Sequence, residues 1–189
     1  MHPRFYHLGA GWDDGLRKRI FVIPAAGGGV RQLTDGACSD EGDHEMAWSP
    51  DSREIAFVSN RSPEWWNTID TDVWVVSVAD GSLRRLTANP GPDHDPAFSP
   101  DGRWIAYRAS HEYNYESEDY TVHVVPRAGG TPRELAAALD RSADQPAWSP
   151  DSSEIYFLLA SEGTRNLYAV TAAAPERVRP VTGGVQTIQ

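Results

Sequence analysis

Hydrophobic positions along this chain fall in short β-branched and aromatic runs, separated by polar turns rich in Gly, Pro and Asp, which is the pattern of β-strands. One set is Ile55-Ala56-Phe57-Val58, Ile105-Ala106-Tyr107-Arg108 and Ile155-Tyr156-Phe157-Leu158. A second set follows each after a variable gap: Val73-Trp74-Val75-Val76, Val122-His123-Val124-Val125 and Leu167-Tyr168-Ala169-Val170, with one further copy upstream at Ile20-Phe21-Val22-Ile23. Each member of the second set leads into a turn (AAGGG at 25–29, ADGS at 79–82, RAGG at 127–130, AAAP at 172–175) and then into RQLT, RRLT, REL or RPVT. Ahead of the first set stands a pentapeptide, AWSPD at 47–51, AFSPD at 97–101 and AWSPD at 147–151, so its prolines fall at Pro50, Pro100 and Pro150.

The repeating unit is therefore four short antiparallel strands joined by hairpins, with Gly and Asp-Gly supplying the positive φ of tight turns. Four strands recurring at roughly 40 to 50 residues predict β-propeller blades, and an all-β fold. Complete blades are expected over 46–87, 96–136 and 146–182, with an incomplete one over 5–34, where FYHL offers a possible second strand. VQTIQ at the end could open a further blade or complete the first. Because propellers close with about four to eight blades, three and a half suggest a segment of a larger ring. Within a blade, Trp48, Phe98 and Trp148 and Phe57, Tyr107 and Phe157 are expected to pack blade against blade. The SPD segments are expected to be turns from strand one to strand two, with Ser49, Ser99 and Ser149 in structural roles.

Composition narrows the partners. The 189 residues are 40% hydrophobic with seven Trp, which excludes a disordered chain. A formal charge of −10 argues against nucleic acid and against anionic membrane as partners, since both select positive surfaces. Cys38 is the only cysteine, so no internal disulfide is possible. MHPRFYHLGAGWDDG lacks the apolar stretch of a signal peptide and reads like the middle of a domain, and nothing approaches the roughly 18 apolar residues of a membrane span. A cytoplasmic location is expected.

The longer context of the repeats resembles the propeller of the prolyl oligopeptidase family of serine peptidases, particularly the acylaminoacyl-peptidase-like branch. The stretches that carry it are FYHLGAGWDDGLRKRIFVIPAAGGGVRQLTDG, NRSPEWWNTIDTDVWVV and AYRASHEYNYESEDY; the AxSPDG unit is shared with TolB-type propellers. The resemblance implies a propeller that precedes an α/β-hydrolase domain and limits its active site to short peptides. It also implies a nucleophile in a G-x-S-x-G elbow. No such motif occurs in these residues, so the catalytic triad maps to no position here and the hydrolase domain lies outside this chain. A stand-alone TolB-like interaction propeller is the alternative. The dipeptidyl-peptidase branch reads a substrate amino terminus with adjacent glutamates; no Glu-Glu pair occurs here, which argues against dipeptide release.

Strand alternation places the strand two-to-three loops and the inter-blade loops on one face, and the SPD and Gly turns on the other. The first set is long and chemically loaded, and function on such scaffolds concentrates where loops grow. Trp65 and Trp66 in 60–71, and His111, Glu112, Tyr113, Tyr115 and Glu116 around 110–119, are the candidate contacts with peptide or with the hydrolase domain. Asp43-His44-Glu45 and Asp93-His94-Asp95 put a His between carboxylates but recur at the blade period, so they are expected to tether inter-blade turns. Asp70 and Asp72 alternate as calcium ligands do, without the Gly and distal Glu of an EF-hand. No metal or other cofactor is expected. Uncovered blade faces at both ends lead to an expectation of self-association.

Overall fold

In the computed structural model the described residues are 17–36, 40–63, 65, 68, 70–111, 119–137, 139, 142–161, 163–185 and 187. The chain is all β. A two-stranded sheet, β1 (Phe21–Val22) and β2 (Arg31–Gln32), precedes three four-stranded antiparallel sheets. The first of these comprises β3 (Asp40–Trp48), β4 (Glu54–Ser59), β5 (Asp72–Ser77) and β6 (Leu83–Arg85). The second comprises β7 (Asp93–Phe98), β8 (Trp104–Ser110), β9 (Tyr120–Pro126) and β10 (Arg133–Leu135). The third comprises β11 (Ala143–Trp148), β12 (Glu154–Ser161), β13 (Thr164–Thr171) and β14 (Ala174–Pro180). Strands neighbour in chain order throughout, which is the meander of a propeller blade. We number these sheets blades one to three.

The period-two alternation of the second strands is what joins the blades. In blade one, Ile55 and Phe57 turn back onto Ile20 and Leu33, while Ala56 turns forward onto Ile105 and Tyr107 of blade two. Ala106 likewise turns forward onto Ile155 and Phe157 of blade three. Phe57, Tyr107 and Phe157 are fully buried, as the repeat predicts. Phe98 and Trp148 are partly buried against the same clusters, and Trp148 Nε1 donates 2.9 Å to the carbonyl of Ala97 in the preceding blade. Trp48 departs from expectation: it is 51% exposed, because no described inner strand lies before β3 to receive it.

The SPD segment is a turn built around its serine. Ser49, Ser99 and Ser149 are buried. Each hydroxyl donates to the Asp two residues on (2.6, 2.6 and 2.7 Å) and accepts from the backbone of the following strand, at Glu54, Trp104 and Glu154 (2.9, 3.0 and 2.9 Å). Held mainly by that hydroxyl, Asp51 and Asp151 titrate at about 2. The turn needs a left-handed residue three positions after the serine, which is Gly102 at φ 69° in blade two and Ser52 and Ser152 at 58° and 63° in the others. The Thr that closes the fourth-strand segments RQLT, RRLT and RPVT also has a local reason: Thr34, Thr87 and Thr182 accept from the backbone N–H of Ile20, Val73 and Leu167 respectively.

Two segments differ from the sequence reading. Asp93-His94-Asp95 begins β7 and does not form an inter-blade turn; the same holds for the backbone at 43–45 in β3. The strands reach that far because β-bulges between His94 and Ala97 and between Asp144 and Ala147 absorb the register, with Asp95 and Gln145 at φ 52° and 51°. In blade three the turn is tighter than AAAP, so the last strand starts at Ala174. FYHL lies outside the described residues. Of VQTIQ, Thr187 makes a parallel bridge to Arg165, against the start of β13. Asp93 meets Thr71 and Ser142 meets Tyr120 at the corresponding places, so the tail sits where the next inner strand begins.

Candidate functional site: the long-loop face

Strand polarity sends the ends of β4, β8 and β12 and the starts of β5, β9 and β13 to one face, together with the inter-blade connections. The opposite face is structural. There Arg127 of blade two reaches back to Glu54 and Asp51 of blade one (2.6 and 3.1 Å) and lies over the Phe98 ring at 5.6 Å.

On the long-loop face, between blades two and three, a cavity of about 440 Å³ is lined by Arg108, Tyr120, Ser142, Asp144, Ala160 and Arg165. Arg108 pairs with Asp95 at 2.6 Å and reaches Asp144 at 3.6 Å, while Arg165 grips the other oxygen of Asp144. The Arg108 guanidinium stacks 4.6 Å from the Tyr120 ring centre, and His94 meets the same ring edge-on at 5.3 Å. Two half-buried guanidiniums, a carboxylate shared between them and an aromatic wall can hold a polar chain by hydrogen bonds and stacking. Sequence reasoning missed this group. A signal existed: Arg108 occupies the place that Val58 and Leu158 fill in the other blades, both buried and apolar.

A second group lies between blades one and two. Asp93 is wholly buried, and among the described residues neither carboxylate oxygen receives a hydrogen bond of good geometry. Burial is the main cause that pushes it up to about 8; nearby Asp72 and Asp70 add to the rise, and the side chains of Thr87 and Asn89 oppose it. Asp72 is raised by burial to about 6 despite Arg85 at 2.8 Å, and Asp70 is raised as well. The corresponding residue of blade three is Ala143, packed in the core.

Of the residues expected to contact substrate or the hydrolase domain, Trp65 is half-buried with the Arg17 guanidinium 4.9 Å from its ring. His111 is exposed at the end of β8, 3.3 Å from Glu134. Its ring also meets that of His123 at 5.5 Å, an imidazole that burial holds at about 4. Trp66, Glu112, Tyr113, Tyr115 and Glu116 lie outside the described residues.

Meandering four-stranded antiparallel sheets packed face to face define the class: a β-propeller fold. Over residues 49–119 the sequence matches the family described as Dipeptidyl peptidase IV (DPP IV) N-terminal region. It is 30% identical over 146 residues, or 76% of its length, to dipeptidyl-peptidase 5 of Porphyromonas gingivalis, and spans about a fifth (21%) of that relative. A puromycin-hydrolyzing peptidase of Mycobacterium tuberculosis superposes with a TM-score of 0.69 at 19% identity, covering 97% of this chain and 30% of that one. TolB from Acinetobacter baumannii gives 0.62 at 19% identity, covering 88% and 38%. The propeller fold expected from the repeats, and the resemblance to peptidase-family propellers carried by the longer context around them, are thus borne out.

Proposed function

We propose that this chain is the non-catalytic propeller portion of a prolyl oligopeptidase family serine peptidase, of the acylaminoacyl-peptidase-like branch, acting in the cytoplasm. The observation that carries the reading is the sequence relationship to dipeptidyl-peptidase 5, which extends over three quarters of the chain. In this reading an α/β-hydrolase domain elsewhere in the protein supplies the nucleophile, and the propeller controls which short peptides reach it. The distribution of chemistry supports that division of labour. The repeated serines are spent on turns, whereas the cavity between blades two and three offers paired charges and Tyr120 to a peptide backbone.

The test uses the full-length protein. A serine-directed phosphonate should abolish hydrolysis of short acylated peptides and label a residue outside this chain. Arg165→Ala should change kcat or KM for those peptides while leaving the rate of phosphonate labelling intact. Unchanged constants in that variant would remove the gating role. A full-length protein that hydrolyses no peptide would favour the second reading, a TolB-like interaction propeller, which the structural likeness to TolB supports at the level of the fold.

A further inference from the structure

Three side chains of blade two stand together at the rim of the long-loop face. His123 lies in the middle of β9, directly opposite Glu134 of β10 in the strand register. His111 follows the last residue of β8, the strand on the other side of β9. Nitrogen or oxygen atoms of His111, His123 and Glu134 all lie within 4.8 Å of one another.

The blade does not require these residues. Strand register aligns His123, opposite Tyr107, with Trp74, opposite Phe57, and with Tyr168, opposite Phe157. In blades one and three the slot is therefore filled by a large aromatic. The same register aligns Glu134 with Arg85 and Pro180, and His111 with Arg61 and Ser161. Where blade one has Arg61 over the Trp74 ring, a packing contact, blade two has two imidazoles and a carboxylate.

We propose that His111, His123 and Glu134 form a binding site for a first-row divalent cation, of which zinc is the type. Two imidazole nitrogens and one carboxylate are a donor set that zinc takes with a fourth position left for water. The site is graded in a way that suits this use. His123 is buried and its ring is fixed on two sides, by the Tyr107 ring at 5.4 Å and by the Thr121 hydroxyl 2.9 Å from Nε2. Glu134 is half-buried, and His111 is exposed, so an ion would enter from solvent past His111. Small rotations of His111 and Glu134, which already touch, would bring the donors to the ligand distances of about 2.0–2.2 Å that zinc requires.

The experiment titrates the purified full chain with Zn²⁺ by calorimetry and with Co²⁺ by absorption spectroscopy, beside His111→Ala and Glu134→Gln. Both substitutions are at accessible positions, and their folding is checked by circular dichroism. The expected result is one ion per chain, a visible Co²⁺ band of four-coordinate type, and affinity at least about tenfold lower in each variant, the low end of what even outer-shell changes cost at metal sites. If either variant unfolds, His111→Asn takes its place, since it keeps a polar side chain at the exposed position. Absence of stoichiometric binding would overturn the proposal, and so would binding that both variants leave unchanged, because the ion would then sit elsewhere.

Discussion

Replacing Asp93 with Asn should make the chain more stable at neutral pH, and the gain should disappear in acid. In the folded chain Asp93 titrates at about 8, raised from 3.8 chiefly by burial. The unfolded chain releases that proton near pH 3.8, so between the two values folding takes up a proton. The stability contribution is thus complete below about pH 4 and is lost as pH rises toward 8, at about 1.4 kcal/mol per pH unit. By pH 7 the loss amounts to about 4 kcal/mol, a large share of the roughly 5–15 kcal/mol that holds a domain folded. Asn has the same shape and no charge. After about 1–2 kcal/mol is deducted for an amide left incompletely bonded, a gain of about 2–3 kcal/mol is expected at pH 7. That the site accepts an uncharged residue is suggested by Ala143, which packs in the equivalent place of blade three. Urea unfolding, followed by the fluorescence of the seven Trp at half-unit steps from pH 4 to 8, measures the difference. His123 titrates in both proteins and is removed by subtraction, and the difference reports Asp93 together with its coupling to the Asp72 charge. A variant no more stable than wild type at pH 7.5, or a gain that does not shrink toward pH 4, would refute the reasoning.

Three further outcomes are expected. Ser149→Ala should cost about 1–3 kcal/mol in the same unfolding assay, because the N–H of Glu154 and the carboxylate of Asp151 both lose the hydroxyl between them. The isolated chain should show no peptidase turnover on acylated or free short peptides, and turnover abolished by a serine-directed phosphonate would contradict it. With Phe21, Ile23 and Trp48 each more than half exposed, the chain should self-associate at sedimentation equilibrium, whereas a mass of 20.8 kDa at every concentration would rule that out.

The blades were legible in the sequence because their determinants are local. Ser49, Asp51 and Ser52 specify a turn among themselves, and Ile55-Ala56-Phe57 alternates faces whatever lies beside it. The inner strands extend further than their hydrophobic pattern shows, since the bulges at Asp95 and Gln145 put ordinary residues in the left-handed region, where sequence gives no reason to expect them. The site was largely hidden for a different reason. Asp95, Arg108, Asp144 and Arg165 meet only once three hairpins and two blades have packed, and no motif spans them. Yet two departures carry the same mark, a polar side chain where both sister blades are apolar or aromatic: Arg108 against Val58 and Leu158, His123 against Trp74 and Tyr168. Both belong to blade two. A repeat frees such positions only where the packing around them supplies another use for the charge. Blade two, with a neighbour on each side, is the one described blade whose two faces are both closed by complete sheets. Its polar residues are therefore desolvated and oriented from both sides.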